Sequence, residues 1–271
     1  MWIILPAGVV DHLMGVGMKH ALLLLMILVA GCSKSPQSDQ QVAKGSAPVA
    51  VTPAKPTDLT YRQKLGHSTG HWKADSDLLE YPDLLRALRK QGISSVRFTE
   101  DECADSSWGA SCSKEAEDEL TFAGRTIVSV KTTEDEDLGG AHPAGGVSDF
   151  LWDRVENKRL LFGNIFTSWS AVRPILQAKL CQGIKDEFSK RETPGDPSEA
   201  GDDPQCPNVQ DVALTLSRAE SGNQSDLIWA DTSDYQLGSY AAARVTVGID
   251  IDQSIYNLIK PQYRADFVKP E

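Results

Sequence analysis

Few side chains in this sequence are placed to do chemistry. His142 stands in Gly139-Gly140-Ala141-His142-Pro143, and an imidazole with an ordinary pKa of about 6.5 could act there as an acid or a base. Such work needs a second group held against the ring, and neither a Ser-His-Asp arrangement nor a pair of carboxylates is legible nearby. The structural reading of the motif is preferred: a β-hairpin corner in which two glycines permit positive φ and Pro143 biases His142 toward extended backbone. Gly139, Gly140, His142, Asp153 and Tyr240 are the candidate binding residues, although a hydrogen-bonded strand end and a half-buried ring are the simpler explanations of the last two. His67 and His71, four apart, would share one face of a helix as metal ligands, but Gly66 and Gly70 weaken that helix. No cysteine pair has Cys-x-x-Cys spacing, so a polar loop is expected there, with no metal and no cofactor.

The cysteines carry the remaining chemistry. Cys103 and Cys112 lie in an acidic stretch, while Cys181 falls on an expected helix and Cys206 in the polar segment after it. In an oxidising compartment these four allow three connectivities; pairing 103 with 112 and 181 with 206 is favoured. The second bridge would contribute roughly 3 kcal/mol on the chain-entropy estimate. Cys32 is set apart by its surroundings. Met18 to Cys32 reads as a charged start, a short apolar run from Ala21 to Val29, and Ala30-Gly31-Cys32. This resembles the lipobox of bacterial lipoproteins, in which the cysteine is acylated and becomes the mature N-terminus. Asp11 and His12 interrupt the segment upstream, so translation is expected to start at Met18. Ala21 to Val29 is too short for the roughly 20 apolar residues of a membrane span. Ser33, rather than aspartate, after the cysteine points to the outer membrane, with the chain facing the periplasm.

Residues 1–31 are therefore expected to be a signal peptide and 32–58 a flexible tether. Its Ser, Gln, Ala, Pro and Lys cannot bury enough to order themselves, and its 26 residues from Ser33 would span about 30 Å. The remainder, 59–271, is one α+β domain. A short helix is expected over Asp83 to Gln91, stopped by Gly92, followed by a strand from Ile93 to Thr99. Asp101 to Glu119 and Glu134 to Asp137 read as acidic loops. Strands are expected at Leu120–Val130 and Val147–Asp153, and a turn-rich link at Arg159–Phe166, with a turn at Asn157-Lys158. Ser170 should cap a long helix in which Val172, Ile175, Leu176, Leu180, Ile184 and Phe188 recur at helical spacing, and residues 189–211 form a polar insertion. Val212–Ser217, Leu227–Ala230 and Arg244–Ile249 supply further strands, and Gln253–Ile259 a closing helix. The fold class is thus an antiparallel sheet with one long helix on a face and a short C-terminal helix.

Several short motifs, taken in order, are distinctive as a set. Glu80-Tyr81-Pro82, the strand into Gly139-Gly140-Ala141-His142-Pro143, Phe150 to Phe166, and Tyr235-Gln236-Leu237-Gly238-Ser239-Tyr240-Ala241 resemble the RsiV-like domain family over roughly Glu80 to Phe267. That family includes the extracellular domain of a lysozyme-sensing anti-sigma factor and a domain joined to peptidoglycan deacetylases. This chain departs where the family commonly has Gly-Pro, carrying Ala243-Arg244 instead. Neither sigma-factor regulation nor deacetylation is carried over. The resemblance implies a non-catalytic envelope lipoprotein that binds lysozyme or peptidoglycan-related ligands. The alternatives are a cell-wall hydrolase using His142 and a structural lipoprotein contacting another membrane protein. A net charge of -11 argues against nucleic acid and anionic membrane surfaces and leaves basic partners open.

Overall fold

The computed structural model describes residues 58–99, 111–140, 142–190, 206–219, 222–238 and 244–271. The lipobox, nearly all of the tether, Cys103, Tyr240 and most of the 189–211 insertion lie outside the described residues. Among the described residues, nine strands and three α-helices build an α+β fold in which all strand pairings but one are antiparallel. A six-stranded sheet runs in chain order: β1 (Thr60–Leu65), β2 (Ser68–Ala74), β3 (Cys112–Ala123), β4 (Ile127–Asp137), β5 (Ala144–Asp153) and β6 (Lys158–Leu160). A second sheet holds β7 (Ala213–Arg218), β8 (Ser225–Asp231) and β9 (Thr246–Asp250).

Alternation along the strands gives the first sheet two faces with different cores. One face presents Trp72, Ala116, Val128, Val130 and Phe150 to α1 (Pro82–Val96), whose Leu84, Leu85, Leu88 and Val96 complete the cluster. The other face presents Ile127, Leu151 and Leu160, which join α2 (Trp169–Ser189) and the second sheet in the larger core. Edge strand β7 stands against this face. The Leu216 N–H donates to Ser129 Oγ at 3.0 Å, so a side chain of one sheet satisfies a donor on the open edge of the other. The long helix α2 packs on β9, and Asp252 couples it to α3 (Gln253–Leu258). Burial alone would raise the Asp252 carboxyl. Hydrogen bonds from Ser254 and from Lys179 of α2 instead hold it down at about 2.

Three sequence expectations fail here for identifiable reasons. Residues 59–72 are a β-hairpin and not a polar loop; β2 then pairs in parallel with β3, and the connection between them carries α1 across the sheet. The first helix runs through Gly92 to Val96, so the expected strand at Ile93 does not form. Gly92 is a place of close approach and not a stop: a Cβ there would lie 2.0 Å from Cδ1 of the buried Trp72 ring. The described parts of the supposed acidic loops are strand, since Cys112–Ala123 is β3 and Glu134–Asp137 ends β4, while 101–110 lie outside the described residues. By contrast, the long helix differs only at its start, where Ser168 is the cap and accepts from the Ala171 N–H. The turn at Asn157 stands as expected, with φ 51.

Within the α1-side core, Asp118 is 2% exposed and accepts from Trp72 Nε1 at 2.7 Å and from Thr132 Oγ1 at 2.6 Å. Burial, aided by nearby Glu134, pushes its carboxyl above the ordinary value of 3.8. The folded chain therefore holds that proton more tightly than the unfolded chain, and stability falls as pH rises from about 4 through the folded pKa. Asparagine keeps an acceptor for Trp72 and carries no charge. Asp118→Asn should lose this slope and match or exceed the wild type at neutral pH, while losing ground below about pH 4. Urea midpoints for both chains across pH check this; parallel profiles would refute it.

Candidate binding surface

The tip of the β4–β5 hairpin and a loop some ninety residues later are held together. Pairing runs from Ile127–Asp153 to Glu136–Ala144, and Gly139 takes φ 79 in the turn, donating its N–H to Asp137 Oδ1 at 2.9 Å. Beside this tip, the Asp234 N–H donates to Gly145 O at 3.1 Å and the Val147 N–H to Ser233 Oγ at 3.0 Å. Gln236 closes the loop on itself, accepting from the Ser233 N–H and donating to Asp211 O. The hairpin and the Tyr235-Gln236-Leu237-Gly238 stretch, distant in sequence, thus form one surface.

Arg244 locks this arrangement. Its Nη2 donates to Asp135 Oδ1 at 2.5 Å and its Nε to Asp234 Oδ1 at 3.0 Å, joining hairpin and loop through one guanidinium. The Asp234 hydrogen bond, with Asp135 adding to it, raises Arg244 above its ordinary value and keeps it charged. Gly145 makes room for it, because a Cβ there would lie 1.6 Å from Nη2. Tyr235 is 52% exposed with φ 65, a left-handed backbone that a bulky residue adopts only when its surroundings impose it. Leu138 at the hairpin tip is 42% exposed, and His142 is exposed beside it. Five carboxylates, Glu134, Asp135, Glu136, Asp137 and Asp234, stand against Lys114 and Arg244 around the tip, a net charge of −3. An exposed aromatic and an apolar tip within an acidic rim can grip a basic partner; among the described residues no nucleophile and base face one another here.

The other proposed residues do not converge on this place. Asp153 ends β5 and His142 precedes its start, so at ~3.4 Å per residue they lie about 30 Å apart. Asp153 is 3% exposed; Oδ1 accepts the Val155 and Glu156 N–H groups and Oδ2 accepts from Tyr263 Oη at 2.8 Å. Burial and that carboxylate push Tyr263 up to about 12, so it remains the donor. The two form a wall of a cleft of about 670 Å³ with Glu156, Lys158, Arg159 and Lys260. His67 lies in the β1–β2 turn and His71 on β2, not on a shared helix face. Among the described residues no group of three or more side chains is placed to hold a metal ion, and no helix is long and apolar enough to cross a membrane. Cys181 and Cys206 are bonded to each other, and Cys112 is disulfide-bonded. Sequence reasoning missed Arg244 and Asp234. Arg244 was visible only as a departure from the Gly-Pro pattern, with no sign of the two carboxylates waiting for it.

No protein-family model and no curated protein matches the chain. Among solved structures it is similar to a DUF3298 family protein from Pseudomonas aeruginosa, at 14% identity and a TM-score of 0.44, over 74% of this chain and 94% of that one. It is similar also to a member of the DUF3298 family from Bacteroides fragilis, at 16% identity and a TM-score of 0.43, over 73% of this chain and 86% of that one.

Proposed function

We propose that this protein is a non-catalytic envelope lipoprotein, acylated at Cys32, which binds a basic protein of the cell envelope through the β4–β5 tip and the Tyr235 loop. The observation that carries this reading is the exposed Tyr235, in left-handed backbone next to the Asp234 that Arg244 ties to the hairpin, beside an apolar hairpin tip with a net charge of −3. A strained, exposed aromatic fixed by its surroundings is preorganised for contact, which lowers the entropy lost on binding. The acidic rim gives steering and selects against acidic proteins. The RsiV-like resemblance supplies the partner class, a lysozyme. Its carboxylates are less free than loop residues would be, because Asp135 and Glu136 already pair with Arg244 and Lys114.

Calorimetry of the purified chain with a lysozyme, against an unrelated basic protein of similar charge, tests this. Specific binding should persist at about 0.15 M salt, where the Debye length is about 8 Å, and the control protein should bind at least tenfold more weakly. Equal binding of both would reduce the interaction to charge alone.

A further inference from the structure

A cationic strip in this acidic chain lies on α1, which packs on one face of the first sheet. Arg89 and Lys90 follow Arg86 by three and four residues on α1, and Arg97, two turns after Lys90, caps the helix at its C-terminal end. With Ile93 and Asp58 they line a surface groove of about 620 Å³. Arg86 pairs with Asp83 and Arg89 with Asp58, but these are exposed pairs that an incoming anion can displace. Lys90 and Arg97 have no ion-pair partner among the described residues. Four cations against Asp58 and Asp83 leave a net charge of +2 on this strip, in a chain whose total is −11.

Where the tether ends makes this cluster informative. Asp58 is its last residue, and it enters the folded unit inside the groove, bonded to Arg89 Nη2 at 3.2 Å. We propose that the α1 strip of Arg86, Arg89, Lys90 and Arg97 docks on the anionic headgroups of the bilayer that holds the Cys32 acyl group; this rests on the lipid anchor in the reading above. A 26-residue tether of about 30 Å keeps the domain near that surface, where each added cation strengthens attachment roughly fivefold. The tether itself carries Lys34, Lys44 and Lys55 against Asp39 and Asp58, so it is no anionic occupant for the groove. Docking this way leaves the opposite face, with exposed Glu115, Glu117 and Glu119 on β3, turned from the membrane.

The test uses the full acylated chain in phosphatidylcholine vesicles, with and without phosphatidylglycerol, and headgroup-nitroxide lipid as quencher. A fluorophore on Ser94→Cys, in the groove, should be quenched severalfold more than one on Glu117→Cys when phosphatidylglycerol is present. That difference should disappear in pure phosphatidylcholine, at high salt, and in Arg89→Glu/Lys90→Glu/Arg97→Glu. Equal quenching at both positions, or a difference that survives without anionic lipid, would overturn the docking. So would shielding of the Ser94 label from aqueous iodide without anionic lipid, which would give the groove to another part of the chain or to a protein. A chain that floats with neither vesicle would remove the anchor, and the docking with it, by a separate readout.

Discussion

Asp266→Ala should be among the most damaging single substitutions in this protein, costing about 4 kcal/mol of stability. The side chain is fully buried and its two oxygens accept four hydrogen bonds: from the N–H groups of Arg125, Thr126 and Ile127, at 2.7, 2.8 and 2.9 Å, and from Thr126 Oγ1. These donors form the β3–β4 turn, 140 residues earlier, so one carboxylate near the C-terminus fixes the central hairpin. Alanine leaves these N–H groups, that of Ile127 buried and the other two part-buried, without their acceptor, at about 1–3 kcal/mol for a buried one before relaxation. Asparagine does little better, because its amide nitrogen meets donors. For a domain of this size the loss corresponds to about 10 °C in Tm. Thermal and urea denaturation of both variants measure it, and a shift under about 1 kcal/mol would show that the turn holds without Asp266.

Removing the Cys181–Cys206 bridge is expected to cost about 3 kcal/mol by the loop-entropy estimate for its separation of 25 residues. The bridge also works through Gln177, one turn before Cys181 on α2. Its Nε2 donates to Pro207 O at 2.8 Å and its Oε1 accepts from the Val209 N–H at 2.8 Å, setting the buried Val209 against the core. In Cys181→Ser/Cys206→Ser the urea midpoint should fall and amide exchange should quicken at Val209 before it does in β4. An unchanged midpoint would mean that the Gln177 contacts alone hold the chain there.

The parts of the fold legible in sequence were those written in local pattern. Val172, Leu176, Leu180 and Ile184 announce α2, β-branched runs announce β4, β7 and β9, and two glycines announce the hairpin tip. What escaped was decided by distant partners. Gly92 carries the local signature of a helix stop, yet the Trp72 ring that requires it belongs to β2, and no pattern around either residue connects them. Glu134 to Asp137 look like loop by composition. They are strand because β3 and β5 pair on either side, with Lys114 and Arg244 compensating the charge. The site shows the same division. His142 and the glycines were found as a motif, but the Arg244 clamp, which gives that motif a neighbour in Tyr235, is made across more than a hundred residues.

The most direct test of the proposed surface compares two exposed apolar side chains at opposite ends of β5. Tyr235 is 52% exposed beside the hairpin tip, and Val155 is 73% exposed beyond the other end of the strand. Affinity for a lysozyme at physiological salt should fall at least tenfold in Tyr235→Ala, as for an aromatic anchor at the centre of an interface, and stay within twofold in Val155→Ala. Unchanged affinity in Tyr235→Ala with its melting temperature intact, or an equal loss in both variants, would contradict the assignment.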